Sequence, residues 1–265
     1  MTVGMTTGRS QMLLAIDIGN TNITFGLYEG KNLGARWRIR TIHEKMADEY
    51  GILLEQLFHH RGHRSEQIKG AAIASVVPPL TPIFEQVCRD YVGQDPLVVD
   101  VGVKTGVRIR YDNPWEVGAD RVVDAAAVQV LYGTPACVVD FGTATTFDAI
   151  SAEGDYLGGA IAPGIGIAAQ ALFERTAKLP RVELTRPPSV IGRNTVHSMQ
   201  SGLLFGYVGL VEGMVTRFKA ELGSETQTVA TGGLAKIIAR ETSVIDVVDP
   251  WLTLHGLRII YELNR

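Results

Sequence analysis

Two segments about half a chain apart carry the same pattern, and nothing else in the sequence narrows the fold as much. Leu14-Ala-Ile-Asp17-Ile-Gly19-Asn-Thr21 and Cys137-Val-Val-Asp140-Phe-Gly142-Thr-Ala-Thr145 are apolar strands that end in Asp-x-Gly and run into small hydroxyl or amide residues. A second strand follows each, Thr24 to Tyr28 and Thr146 to Ile150. A hairpin that occurs twice implies two related domains. Isolated Asp-x-Gly turns are common, so the inference rests on the repetition of strand, turn and strand together.

The remaining pattern agrees with an α/β chain in which short apolar runs alternate with amphipathic stretches. Leu13 to Asp17, Thr24 to Tyr28 and Arg36 to Arg40 read as successive strands. Asp48 to His60 reads as a helix whose buried face is Ile52, Leu53, Leu57 and Phe58. Ala71 to Val77 is a buried strand stopped by Pro78-Pro79, followed by a helix around Ile83 to Tyr91 and a strand over Leu97 to Val101. Gly118 to Leu131 is a helix, and Ala136 to Asp140 restarts the strands. At 265 residues the chain exceeds the size at which one core stops growing. We therefore expect an extension over residues 1–11, outside the ordered fold, a first domain over 12–122 and a second over 123–265. Met12, where the strand pattern opens, reads as the natural start.

A strand that ends in Asp-x-Gly-Asn-Thr sets a carboxylate beside a tight turn whose N–H, hydroxyl and amide groups gather on one side. Such a concavity suits phosphate oxygens, and the carboxylate recruits Mg²⁺, which takes one or two carboxylates and completes its shell with water and substrate phosphates. Val229-Ala-Thr-Gly232-Gly233-Leu-Ala235 adds a strand, a Gly-Gly turn and a helix start that could receive an adenosine moiety. No GxxxxGK[ST] is present, so a Walker-type kinase is excluded. Gly164-Ile-Gly166-Ile-Ala-Ala169, with Glu183 beyond it, imitates a dinucleotide fingerprint, but it stands in mid-chain after the second hairpin and opens a helix expected to reach Pro180.

A formal net charge of −3 gives no broad attraction to nucleic acid or anionic lipid. The longest apolar stretches are too short to span a bilayer and the first eleven residues lack a signal-peptide core, which leads us to expect a cytoplasmic protein without nucleic-acid or membrane partners. Cys88 and Cys137 have no CxxC partners and read as structural thiols. His59, His60 and His63 lack acidic or Cys partners at ligand spacing and read as a solvated helix end.

Four motifs, in order and spacing, resemble those of type III pantothenate kinases: Asp17-Ile-Gly-Asn-Thr21, Gly118-Ala-Asp-Arg121, Asp140-Phe-Gly-Thr-Ala-Thr-Thr146, and Asn194-Thr195 with Ser198-Met-Gln-Ser-Gly202. Tyr111-Asp-Asn-Pro114 lies between them, and the resemblance runs from Met12 to the C-terminus. It implies a two-domain actin-like (acetate and sugar kinase) fold with the active site in the cleft, a homodimer, and ATP-dependent phosphorylation of pantothenate, the first step of coenzyme A synthesis. It also implies Mg²⁺ and a monovalent cation, K⁺ or NH₄⁺.

By position, the resemblance assigns ATP binding to Asp17, Ile18, Gly19, Asn20, Thr21, Asn22, Ile23, Thr24 and Thr143, with Asp17 holding Mg²⁺ through water. Asp120 becomes the general base, and Tyr111, Gly118, Ala119, Asp120, Arg121 and Thr195 line the pantothenate site. Asp140 becomes the monovalent-cation ligand, and His197 takes no catalytic part. Two rivals stand beside this reading. One is another actin-like small-molecule kinase, separated by Gly118 to Arg121 with Asn194-Thr195. The other is a non-catalytic regulatory protein on the same scaffold, which would be expected to have lost Asp17, Asp120 or Asp140.

Overall fold

The computed structural model describes residues 12–265, so the extension expected over residues 1–11 lies outside the described residues. The chain forms two compact units. The first holds the described residues up to Gly106, with Gly118–Val123 and Thr253–Arg265; the second holds Val107–Val117 and Asp124–Leu252.

The first unit begins with β1 (Met12–Ile18), β2 (Asn22–Glu29) and β3 (Asn32–Arg40), an antiparallel meander closed by short turns. Then come α1 (Ala47–His60), β4 (Ile68–Ser75), α2 (Thr81–Val87), β5 (Leu97–Val98) and α3 (Ala119–Leu131), which starts in this unit and continues in the second. The sheet order is β3-β2-β1-β4-β5, with β4 parallel to β1 and β5 parallel to β4. Strand alternation turns Leu14, Ile16, Ile18, Ile23, Phe25 and Leu27 to one face, where Tyr50, Leu54 and Phe58 of α1 and Phe84 of α2 cover them. Burying each of these large side chains is worth about 1.5–3 kcal/mol.

Helix α1 forms where expected and buries Phe58 as expected, but the rest of its buried stripe differs. Its core residues are Ala47, Tyr50, Gly51, Leu54 and Phe58, while Ile52 is exposed and Leu53 and Leu57 are half-buried. The Tyr50 ring packs 4.7 Å from Phe84, and its hydroxyl is tied to the backbone of Ile42, which fixes the rotation of the helix. The histidines fall as a helix end, with α1 closing at His60. The strand expected over Leu97 to Val101 shortens to two residues, and the helix around Ile83 to Tyr91 splits into α2 and a π-helical turn over Cys88–Val92.

The second unit repeats the plan with β6 (Ala136–Phe141), β7 (Ala144–Ile150), β8 (Tyr156–Pro163), α4 (Ile165–Arg175), α5 (Thr195–Leu222), β9 (Gln227–Gly232), α6 (Ala235–Ile238) and β10 (Val247–Val248). Its sheet order, β10-β9-β6-β7-β8, is that of the first sheet read from the other edge. Cys137, Val139, Phe141 and Phe147 pack beneath Leu203, Leu204, Val208 and Val211 of α5. The opposite face, with Val138, Ile150 and Tyr156, is closed by Ala125, Ala127 and Val128 of α3. Helix α7 (Leu252–Leu263) then ends the chain, with Thr253 onward in the first unit.

Both cysteines are buried, and loss of hydration pushes each thiol up to about 12, as befits structural thiols. Among the described residues no helix is long and apolar enough to cross a membrane.

Candidate active site

In the first unit, β1 delivers Asp17 half-buried one residue before its end, directly opposite Thr24 of β2. Three carbonyls at the turn between the strands have partners. The Ile18 carbonyl accepts the Val76 N–H at 3.0 Å, the Gly19 carbonyl accepts the Thr41 hydroxyl at 2.6 Å, and the Thr21 carbonyl accepts the Thr41 N–H at 3.0 Å. The Gly19 N–H closes the mouth of the turn onto the Asn22 carbonyl at 3.0 Å. With these three acceptors engaged, the exposed residues of the loop are Asn20, Thr21 and Asn22. That is a donor-rich surface of the kind that cradles anions.

The second element of this unit is the first turn of α3. The Gly118 carbonyl accepts the N–H groups of Arg121 and Val122, and Asp120 Oδ1 accepts the Arg121 N–H at 2.9 Å. The carboxylate therefore folds back over residue 118, where a Cβ would lie 2.6 Å from Asp120 Oδ1. Only glycine fits there without moving the acid. Burial raises the Asp120 carboxyl above its ordinary value, opposed by the Arg121 N–H and guanidinium. Val76 joins the two elements, bonding to Ile18 through its N–H and lying 3.5 Å from the position of a Cβ on Gly118.

In the second unit Asp140 is the penultimate residue of β6, paired with Thr146 of β7 and Thr231 of β9. Two glycines make room for its carboxylate. A Cβ at Gly142 would lie 3.0 Å from Oδ2, and one at Gly232, whose φ is 89°, would lie 2.4 Å from Oδ1. Thr143 stands exposed at the tip of the second hairpin, and a Cβ at Gly164 would meet its carbonyl oxygen. Gly164 thus lets α4 start against that hairpin. The strand before it, β8, is antiparallel to β7 at the sheet edge, so the glycines do not open a parallel βαβ dinucleotide site. Helix α4 also stops at Arg175, short of Pro180, because the Thr176 hydroxyl takes the Leu172 carbonyl and its backbone turns extended. The helix after the Gly-Gly turn is a single turn, Ala235–Ile238.

Tyr111 and Thr195 occupy other parts of this unit. Tyr111 packs beside Gly158 with its ring 6.4 Å from Tyr156, on a segment held to β8 by the Arg110 N–H and by Asp155, which accepts from Arg108 and Arg110. Thr195 is the exposed first residue of α5, capped by Asn194, whose side chain accepts the His197 N–H at 2.8 Å. Sequence reading missed Thr41 and Val76: each acts through a position set by sheet register, and neither belongs to a motif.

Two sheets of one strand order, each with a hairpin whose first strand carries Asp next to its last residue, define an α/β protein of the two-domain actin-like fold. Solved structures agree on the fold. Ethanolamine utilization protein EutJ from Carboxydothermus hydrogenoformans matches with TM-score 0.55 and 13% identity, covering 93% of this chain and 89% of that one. The inorganic polyphosphate/ATP-glucomannokinase from Arthrobacter sp. strain KM matches with TM-score 0.51 and 14% identity, covering 96% of this chain and 100% of that one. Within this class, residues 13–217 match the family model described as type III pantothenate kinase. The type III pantothenate kinase of Moorella thermoacetica is 58% identical over 253 residues, 96% of this chain and 100% of that protein. The chain belongs to the type III pantothenate kinase family.

Proposed function

We propose that this protein transfers the γ-phosphoryl group of ATP to the primary hydroxyl of pantothenate, giving ADP and 4'-phosphopantothenate. Family membership gives the reaction, and the observation that carries its assignment to residues is the Asp120 carboxylate, raised by burial and joined through Val76 to the loop of Gly19. In this reading Asp17 to Thr24 and Thr143 hold the nucleotide, while Tyr111, Gly118, Ala119, Arg121 and Thr195 line the pantothenate site. The hydroxyl oxygen forms the new bond to γ-phosphorus as the bridging P–O bond to ADP breaks, and the hydroxyl proton passes to Asp120. Such a base acts most usefully late in a loose transition state.

Kinases of this kind need a divalent metal, and we assign Mg²⁺ to Asp17 through water; when bound, it neutralises charge on the phosphates. The donor set fits, because one carboxylate beside a phosphate loop is what magnesium ordinarily takes from a protein. Asp140 suits a monovalent cation, K⁺ or NH₄⁺, because its oxygens lie between two glycines with no Cβ to crowd them. We also propose a cytoplasmic homodimer. Exposed apolar side chains crowd residues 157–196 of the second unit, among them Ile167, Leu172, Phe173 and Ile191, and a second copy would cover them. Light scattering at micromolar concentration should give twice the chain mass, and a monomer there would refute the dimer.

A coupled ADP-release assay tests the function directly: pantothenate should drive turnover, while glucose or acetate should not. Recognition of the pantothenate carboxylate is assigned to Arg121, whose planar fork makes a two-point contact that Lys cannot reproduce. Arg121→Lys should weaken pantothenate use by roughly 1.5–3 kcal/mol with little change in the KM for ATP. Pantothenol, which lacks the carboxylate, should be a poor substrate for the wild type and much less affected by the change. Equal losses on both compounds would remove Arg121 from acid recognition.

A further inference from the structure

We infer that Thr41, steadied by Tyr50, is a positioning residue that sets which groups the first hairpin loop presents to a nucleotide. The inference rests on the reading of that loop as the ATP site. Thr41 follows the last residue of β3, is buried, and reaches the loop at two points. Its N–H continues the β2–β3 ladder onto the Thr21 carbonyl, and its hydroxyl crosses to the Gly19 carbonyl at 2.6 Å. The next residue, Ile42, is held from α1, since the buried Tyr50 hydroxyl accepts its N–H at 3.0 Å and donates to its carbonyl at 2.8 Å. A run of part-buried hydrogen bonds therefore leads from the helix core to the loop.

The physical consequence concerns dipole direction. In a trans peptide the C=O and the N–H point opposite ways. Holding the Gly19 carbonyl toward Thr41 therefore turns the Asn20 N–H outward. Keeping the Thr21 carbonyl on β3 removes a second acceptor from the exposed side. A loop released from Thr41 could swing either carbonyl toward the phosphates, whose negative charge those oxygens would repel. Thr41 touches neither reactant in this account; it acts through the loop.

The test uses the full chain and ADP with Mg²⁺ as probe, by calorimetry, with pantothenate binding measured alongside. Thr41→Val keeps the shape and the backbone N–H but removes the hydroxyl, and should weaken ADP about five- to tenfold, the net effect of one hydrogen bond, with pantothenate affinity unchanged. Thr41→Ser restores the hydroxyl and should recover most of the loss. Tyr50→Phe should weaken ADP in the same direction by less, and it carries the test if Thr41→Val fails to fold. Equal ADP affinity in wild type and a folded Thr41→Val, or in wild type and Tyr50→Phe if the Val variant is unfolded, overturns the assignment. Equal losses for ADP and pantothenate also overturn it, since a merely structural role would behave so. A wild type that binds pantothenate but no ADP would instead sink the nucleotide reading of the loop, and this inference with it.

Discussion

Replacing Asp120 by Asn should lower kcat by about 10²-fold or more, the usual loss when a general base is removed, while ADP affinity stays within twofold. Asn keeps the size of the side chain and can still accept the Arg121 N–H through its amide oxygen, so the first turn of α3 should survive. Thermal stability should be unchanged or raised. Burial lifts the carboxyl above its ordinary value, so its contribution to folding is fullest below the unfolded-chain pKa and is lost as pH rises through the folded one. At neutral pH the charged acid is therefore held at a cost that Asn does not bear. The same shift sets the pH profile: kcat/KM should fall as pH drops through a group titrating above the ordinary Asp value of about 3.9, and that limb should vanish from the residual activity of the variant. A variant with near wild-type turnover, or an acid limb that persists in it, would move the base elsewhere.

How much of this was legible before the structure depends on how local the cause is. The two hairpins could be read because strand, Asp, Gly and small polar turn residues are neighbours in sequence, and turn chemistry follows from neighbours. Helix α3 was readable from the Ala- and Val-rich run after Gly118, although it begins at Ala119 and not at the glycine. The stripe of α1 was misread because Ile52 and Leu53 satisfy the spacing rule as well as Tyr50 and Leu54 do. The choice falls to Phe84 and Ile42, which lie elsewhere in the chain. Helix α5 was not identified as one element; it runs for 28 residues with apolar side chains spread around much of its circumference, leaving little periodicity to read. Thr41 could not be found at all from sequence, since nothing short of the β2–β3 register shows that its hydroxyl meets Gly19. Gly232 was read as half of a turn for adenosine, and only the pairing of β6 with β9 brings it against Asp140.

That pairing supplies the second large effect. Asp140→Ala should cost on the order of 10²-fold in turnover, the scale of losing one preorganised electrostatic group, and should abolish the difference between K⁺ and Na⁺ buffers. In the wild type, turnover should be high in K⁺ or NH₄⁺ and weak in Na⁺ alone. Deleting a carboxylate cannot by itself distinguish a cation ligand from a residue that only shapes the hairpin. Gly142→Ala makes that distinction, because it keeps the acid and crowds the space beside it: the new Cβ would stand 3.0 Å from Oδ2 and 3.6 Å from the Ala144 carbonyl oxygen. Gly232→Ala would not serve, since its Cβ would also stand 2.7 Å from the Phe141 backbone and its φ of 89° adds strain of about 1–2 kcal/mol. If Asp140 holds the cation, Gly142→Ala should need a far higher K⁺ concentration for half-maximal activation and should regain part of its rate when K⁺ is raised. If it shapes the hairpin alone, the variant will lose rate equally at every K⁺ concentration. Full turnover of the wild type in sodium alone would remove the cation from Asp140 altogether.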